Sequence, residues 1–159
     1  MENNTQNNHI EIWLLDDDDI VRSTTAQWLR LSNYTVREFQ EGHELLDHFR
    51  VGLPCIIVSD IRMAPLDGLT LMSHCLSQEH ELPFILITGH GDVDTAVNAL
   101  RDGAFDFLEK PFDPNRLLQT VEKAIQRFAK AAKGQDKHAI AMKALLEKHA
   151  DYDEETLSS

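Results

Sequence analysis

Residues 54–78 read PCIIVSDIRMAPLDGLTLMSHCLSQ. The opening run, PCIIVS, is apolar on both faces of an extended chain, which is the pattern of a strand covered on both sides. The closing part, GLTLMSHCLSQ (68–78), spaces its apolar residues three or four apart, as a helix with one buried face does. A doubly covered strand followed by an amphipathic helix is one unit of a parallel sheet with helices on both faces. The fold class then turns on whether the unit repeats.

It repeats along the chain. IEIWLL (10–15), YTVREF (34–39), LPFILIT (82–88) and FDFLE (105–109) are further short apolar runs, and IVRSTTAQWLRL, GHELLDHFR and DVDTAVNALRDG between them keep helical spacing. The expected fold is α/β, a parallel sheet with right-handed crossovers. PFILIT, apolar on both faces, belongs at the centre of the sheet, and the alternating YTVREF belongs at an edge. A last helix is expected from Asp113-Pro114, where Asp can cap and Pro suits the first turn, through LLQTVEKAIQRFAKAAK. Its stripe of Leu117, Val121, Ala124, Phe128 and Ala132 fits either core packing or a dimerising heptad. Gly134 breaks this helix, and DKHAIAMKALLEKHA can form another before the acidic end DYDEETLSS. The expected organisation is a tail over 1–8, one domain over 9–132 and a helical extension over 133–159.

The 159 residues suffice for one domain with a core plus an appendage. With 15 Lys and Arg against 27 Asp and Glu, the net charge is −12, so attraction to a phosphate backbone is not available to the chain as a whole, and direct nucleic-acid binding is not expected. Cys55 and Cys75 stand in apolar stretches without a redox or zinc pattern, and read as reduced packing residues. The eight histidines form no ligand pattern, and His90 is expected to shape a loop. The start MENNTQNN has no signal-peptide pattern and no apolar run reaches the roughly 18 residues of a membrane span, which makes the cytoplasm the expected location and a membrane no expected partner.

In an open parallel sheet, ligands sit outside the carboxyl ends of the strands. Leu15 leads there into Asp16 and Asp17, Ser59 into Asp60, Ile87 into Thr88, and the fifth run into Lys110-Pro111. A parallel sheet gathers all these groups at one edge. Three crowded carboxylates repel unless a cation compensates, and an all-oxygen set suits Mg²⁺. With Lys110 as a mobile positive charge and Thr88 as a hydroxyl donor, the set matches what phosphoryl transfer needs. Each residue also has a plainer reading. Asp17, Asp18 or Asp19 can cap the next helix, Thr88 can serve a turn, and Lys110 can be solvated.

The chain resembles the receiver domain of bacterial two-component response regulators over about residues 9–130. The resemblance rests on LLDDDDIVR (14–22), VSDIRMAPLDGL (58–69), ILITGHGDVDTAV (85–97) and GAFDFLEKPFDPNRL (103–117), in this order. It implies a flavodoxin-like (βα)5 fold with strand order 2-1-3-4-5. It also implies Asp60 as phosphoacceptor, Mg²⁺ held by Asp16, Asp17, Asp60 and the backbone carbonyl of Arg62, and Thr88 and Lys110 as phosphoryl contacts. Phe107 would be an aromatic switch coupled to Thr88, and Lys110-Pro111 a cis peptide. The implied partners are a sensor histidine kinase and, through a switched surface, a second protomer or an output domain controlling transcription. The third and fourth segments are most similar to receivers of sigma-54-activating regulators, or of regulators with a helix-turn-helix output. Two departures stand out: Ala64-Pro65 replaces the Pro-Gly common after the nucleophile, and Phe107 stands where many relatives have Tyr.

Two other readings compete. A phosphatase of the haloacid dehalogenase type would use Asp16, Asp18, Thr88 and Lys110, but leaves Asp60 without a task. A receiver that binds partners without being phosphorylated is the other. Trp13, close to Asp16 in sequence, is expected near the acidic edge and sensitive to Mg²⁺.

Overall fold

Every strand-to-strand connection in this chain must travel back along the sheet before the next strand can begin, and in each case a helix makes the return. The computed structural model describes residues 10–89 and 91–130. Its elements are β1 (Glu11–Leu15), α1 (Asp19–Leu31), β2 (Thr35–Phe39), α2 (Gly42–His48), β3 (Cys55–Asp60), α3 (Gly68–Gln78), β4 (Phe84–Thr88), α4 (Val93–Arg101) and β5 (Asp106–Glu109). A last helix, α5, runs over 114–130. The expected tail over 1–8, the extension over 133–159 and the reading of His90 lie outside the described residues.

The five strands pair in parallel in the order β2-β1-β3-β4-β5, the flavodoxin-like order. Burial follows the sequence pattern. Every residue of β3 and β4 is buried, whereas β2, at the edge, exposes alternate side chains. Successive side chains of the inner strands feed two separate cores. Trp13, Leu15, Ile57, Phe84 and Leu86 pack with Leu71, Cys75, Ala96 and Ala99 on the face covered by α2, α3 and α4. Ile12, Leu14, Ile56, Val58, Ile85 and Ile87 pack with Ala26, Leu29, Leu117 and Val121 on the face covered by α1 and α5. Truncating any one of these large side chains to alanine removes about 2–5 kcal/mol.

Within the described residues the α5 stripe is core: Leu117, Val121 and Ala124 are fully buried, and Phe128 packs against the same cluster, while Ala132 lies outside them. Both cysteines are buried, and burial pushes each thiol up to about 12, which keeps them protonated and unreactive. Trp13 departs from expectation. Its indole N–H donates to Glu11 Oε1 at 3.0 Å, towards the opposite end of β1 from Asp16. Trp28 is the tryptophan beside the edge, in a groove with Lys110, Pro111 and Phe112. Among the described residues no helix is long and apolar enough to cross a membrane.

Candidate functional site

Register alignment sets the site. Leu15 pairs with Ser59, Asp60 with Ile87, and Thr88 with Glu109, so the residues that follow β1, end β3 and β4, and follow β5 share one edge of the sheet. Strand twist and pairing thus bring together side chains separated by up to 94 residues of sequence.

The four consecutive aspartates divide their work. Asp18 is the N-cap of α1, its Oδ1 accepting from Ile20 N at 3.0 Å and Val21 N at 3.1 Å. Asp19 sits in the first helical turn and takes Arg22 Nη2 at 2.8 Å and Gln40 Nε2 at 2.9 Å; these hydrogen bonds hold its carboxyl below the usual carboxylate range. Asp16 and Asp17 remain for the edge. Asp16 is buried, with Oδ1 accepting from Asp18 N at 2.9 Å, while Arg22 Nη1 donates to the Asp16 carbonyl at 2.8 Å. Asp18, which the phosphatase reading requires, is spent on its helix.

Asp16, Asp17 and Asp60 each offer a carboxylate oxygen within 4.8 Å of the others. Lys110 Nζ donates to Asp60 Oδ2 at 2.8 Å and to Asp16 Oδ2 at 3.3 Å. Burial pushes the Asp16 carboxyl up, and the neighbouring Asp60 charge adds to the rise; the Asp18 N–H and Lys110 oppose it without cancelling it. Burial alone would depress the Lys110 ammonium, but its hydrogen bond to Asp60 and the charges of Asp60 and Asp16 outweigh burial and raise it. Three carboxylates against one ammonium leave two negative charges when all are ionised. An oxygen-only cluster with that residual charge fits a hard divalent cation such as Mg²⁺.

Neighbouring backbone holds Asp60 in place. Arg62 N–H donates to Asp60 Oδ1 at 3.3 Å, and Gly68 N–H to the Ile61 carbonyl at 2.8 Å. A Cβ at Gly68 would stand 2.1 Å from the Asp60 carbonyl oxygen, so only glycine lets α3 start this close to the end of β3. Asp67, the residue before, caps α3 through Thr70 N at 2.7 Å. The DGL of the sequence is thus a cap followed by a close approach. Both Ala64-Pro65 and Lys110-Pro111 are cis peptides.

Thr88 is fully buried at the end of β4, and its Oγ1 donates to the Gly89 carbonyl at a long 3.3 Å rather than to Asp60. Its carbonyl accepts from Lys110 N at 2.8 Å, which ties the lysine's loop to β4. Phe107 is half-buried and packs against the core on the α3 and α4 face. One contact was not foreseen. The exposed Arg62 side chain forms a two-pronged pair with Asp92, Nε to Oδ2 at 2.6 Å and Nη2 to Oδ1 at 2.7 Å. These hydrogen bonds lower the Asp92 carboxyl and raise the Arg62 guanidinium. No spacing rule links residues 30 apart, and only the folded loops reveal the pair.

Comparison with known proteins agrees with this geometry. A family model described as the response regulator receiver domain matches residues 12–122. The chain is 41% identical over 116 residues to the C4-dicarboxylate transport transcriptional regulatory protein DctD of Rhizobium meliloti, covering 73% of this chain and 25% of that protein. It is 38% identical over 117 residues to the DNA-binding transcriptional regulator NtrC of Escherichia coli, covering 74% and 25%. The solved receiver domain of NtrX from Brucella abortus superposes with a TM-score of 0.69 at 35% identity, covering 72% of this chain and 98% of that one. Full-length FixJ from B. japonicum gives 0.69 at 38%, covering 77% and 61%. The chain spans about a quarter of the length of the curated relatives it matches.

Proposed function

Because the chain belongs to the response regulator receiver domain family, a phosphoacceptor signalling module rather than an enzyme, we propose that Asp60 accepts a phosphoryl group from a sensor histidine kinase. The observation that carries this reading is the position of Lys110 Nζ, 2.8 Å from Asp60 Oδ2 and 3.3 Å from Asp16 Oδ2, beside a three-carboxylate cluster. In the transfer, an Asp60 carboxylate oxygen attacks phosphorus, the P–N bond to the donor imidazole breaks, and the imidazole leaves with the electron pair and takes a proton from water. Acetyl phosphate is the small-molecule equivalent, with acetate leaving.

Asp16, Asp17, Asp60 and the Arg62 backbone carbonyl would hold Mg²⁺, which when bound supplies positive charge against the phosphoryl oxygens. Lys110 offers its ammonium to another of those oxygens, in exchange for one of its present carboxylates. Thr88, held only by a long hydrogen bond, can turn its hydroxyl towards the new group, and Phe107 can follow inward because a phenyl ring needs no polar partner when buried. The surface of β4, α4 and β5 would change with them and meet a second protomer or an output domain that controls transcription. The module would work in the cytoplasm, with its kinase.

The test is intact-mass measurement after incubation with acetyl phosphate and Mg²⁺. One added phosphoryl group is expected in the wild-type chain and none in Asp60→Asn. Unlabelled wild type, under conditions that label a control receiver, would instead support a module that binds without phosphorylation.

A further inference from the structure

Four described helices begin with a capping carboxylate. Asp18, Glu41, Asp67 and Asp113 each accept a backbone N–H from the first turn of α1, α2, α3 and α5. Helix α4 begins with the same residue type, Asp92, yet its side chain makes no cap hydrogen bond. Both its oxygens are instead taken by Arg62. The backbone reflects the difference: ψ is 111°, 152° and 164° at Asp18, Glu41 and Asp67, the extended form a capping residue adopts, but 13° at Asp92. The first amides of α4 therefore go without the side-chain acceptor that the other helices have.

Arg62 is placed to change partners. Its own N–H lies 3.3 Å from Asp60 Oδ1, on the opposite side of the carboxylate from Lys110, which holds Oδ2. Its side chain is 79% exposed and free to swing. Arg62 borders a cavity of about 510 Å³ whose other charged lining residues are Asp17, Asp67 and Asp92, so Arg62 is the single cation of that lining. A guanidinium fork matches a phosphoryl group as well as it matches a carboxylate, so the competition is settled by charge. A phosphoryl group brings about 1.5–2 negative charges where Asp92 offers one.

We propose that Arg62 exchanges partners on phosphorylation: its guanidinium leaves Asp92 for the phosphoryl group on Asp60, and the released Asp92 rotates to cap α4. The inference rests on Asp60 being the phosphoacceptor. Capping requires Asp92 to move into the extended region, which drags the Gly89–Asp92 turn, held by Asp92 N–H to the Gly89 carbonyl at 3.2 Å, immediately after Thr88. The exchange thereby converts a charge on β3 into a movement at the start of α4. Arg62 acts here as a positioning residue for the β4–α4 loop.

Labelled protein, with intact mass taken on the same samples, provides the test. On phosphorylation of the wild type, the Arg62 Nε–H resonance is expected to shift. The amides of Asp94 or Thr95 should exchange several-fold more slowly, and the Asp92 carbon shifts should move to extended values. Arg62→Gln frees Asp92 at the outset, so the capped pattern should be present before any phosphate is added. Asp92→Asn, which keeps a capping oxygen but loses the ion pair, should show the same. A phosphoryl gain with an unmoved Arg62 signal overturns the inference alone, as does an uncapped α4 in both variants. No phosphoryl gain in the wild type overturns the phosphoacceptor reading, and this inference with it.

Discussion

At Asp16 the fold holds a carboxylate that its surroundings would rather protonate. The residue is 1% exposed, and burial, reinforced by the Asp60 charge, raises its pKa despite the Asp18 N–H and Lys110. A carboxyl with a raised folded pKa binds its proton more tightly folded than unfolded. Stability is therefore greatest at low pH on this account, and declines as pH climbs from the ordinary carboxylate range through the raised folded value. At neutral pH, without a divalent ion, an ionised Asp16 works against folding. Asn at this position keeps an oxygen for the Asp18 N–H and carries no charge. Asp16→Asn is thus expected to melt higher than wild type in chelator; water at the open edge screens part of the repulsion, so the gain is on the order of 1 kcal/mol, or about 3–5 °C. The same change should weaken Mg²⁺ binding by at least the roughly tenfold that even an indirect ligand partner costs. Thermal melts with chelator and with Mg²⁺ check both halves, and a lower melting temperature in chelator would sink the electrostatic argument.

Helix α1 shows what separates an acid of the site from an acid of the scaffold. Asp18 accepts two first-turn amides, so Asp18→Ala should destabilise the domain by about 1 kcal/mol, seen as a lower denaturant midpoint with unchanged slope. Acetyl phosphate should still label Asp60 in this variant. Loss of labelling in the folded Asp18→Ala protein would place Asp18 in the site after all. The residues alone offered Asp17, Asp18 or Asp19 as the cap, because adjacent identical side chains have identical propensities; the family resemblance is what assigned Asp16 and Asp17 to the metal. Strand direction and the first turn of α1 decide which of them face the edge. The elements themselves were legible, since burial on both faces leaves CIIVS and FILIT no polar position before their last residue and the edge strand must alternate. The end of α2 was less so: the apolar spacing continues to Phe49, but that residue turns extended and buries its ring in the core instead of extending the helix. The Arg62–Asp92 pair had no sequence signal, because it depends on how two loops meet rather than on any period.

Across the whole domain, the convergence of Asp16, Asp60 and Lys110 follows from parallel strands ending at one edge, which made the set of residues readable before any distance was known. Which carboxylates the lysine would hold depended on the loop after β5, and only the structure supplies that. The wider charge distribution adds a further consequence. With a net charge of −12, the folded chain repels itself, and any added cation relieves some of that by screening. Mg²⁺ held at the acidic edge would do something different, because it would bind the folded edge and not the unfolded chain, and so would stabilise by mass action. At a hundred times its dissociation constant the gain is about 2.7 kcal/mol. The discriminating measurement is the difference in melting temperature between Mg²⁺ and Na⁺ at matched ionic strength. That difference is expected to be roughly 10 °C for wild type at saturation, and to shrink strongly in Asp17→Asn, whose exposed side chain contributes to no core. Equal effects of the two salts, or an undiminished Mg²⁺ effect in Asp17→Asn, would mean that the acids at this edge repel one another without forming an ion site.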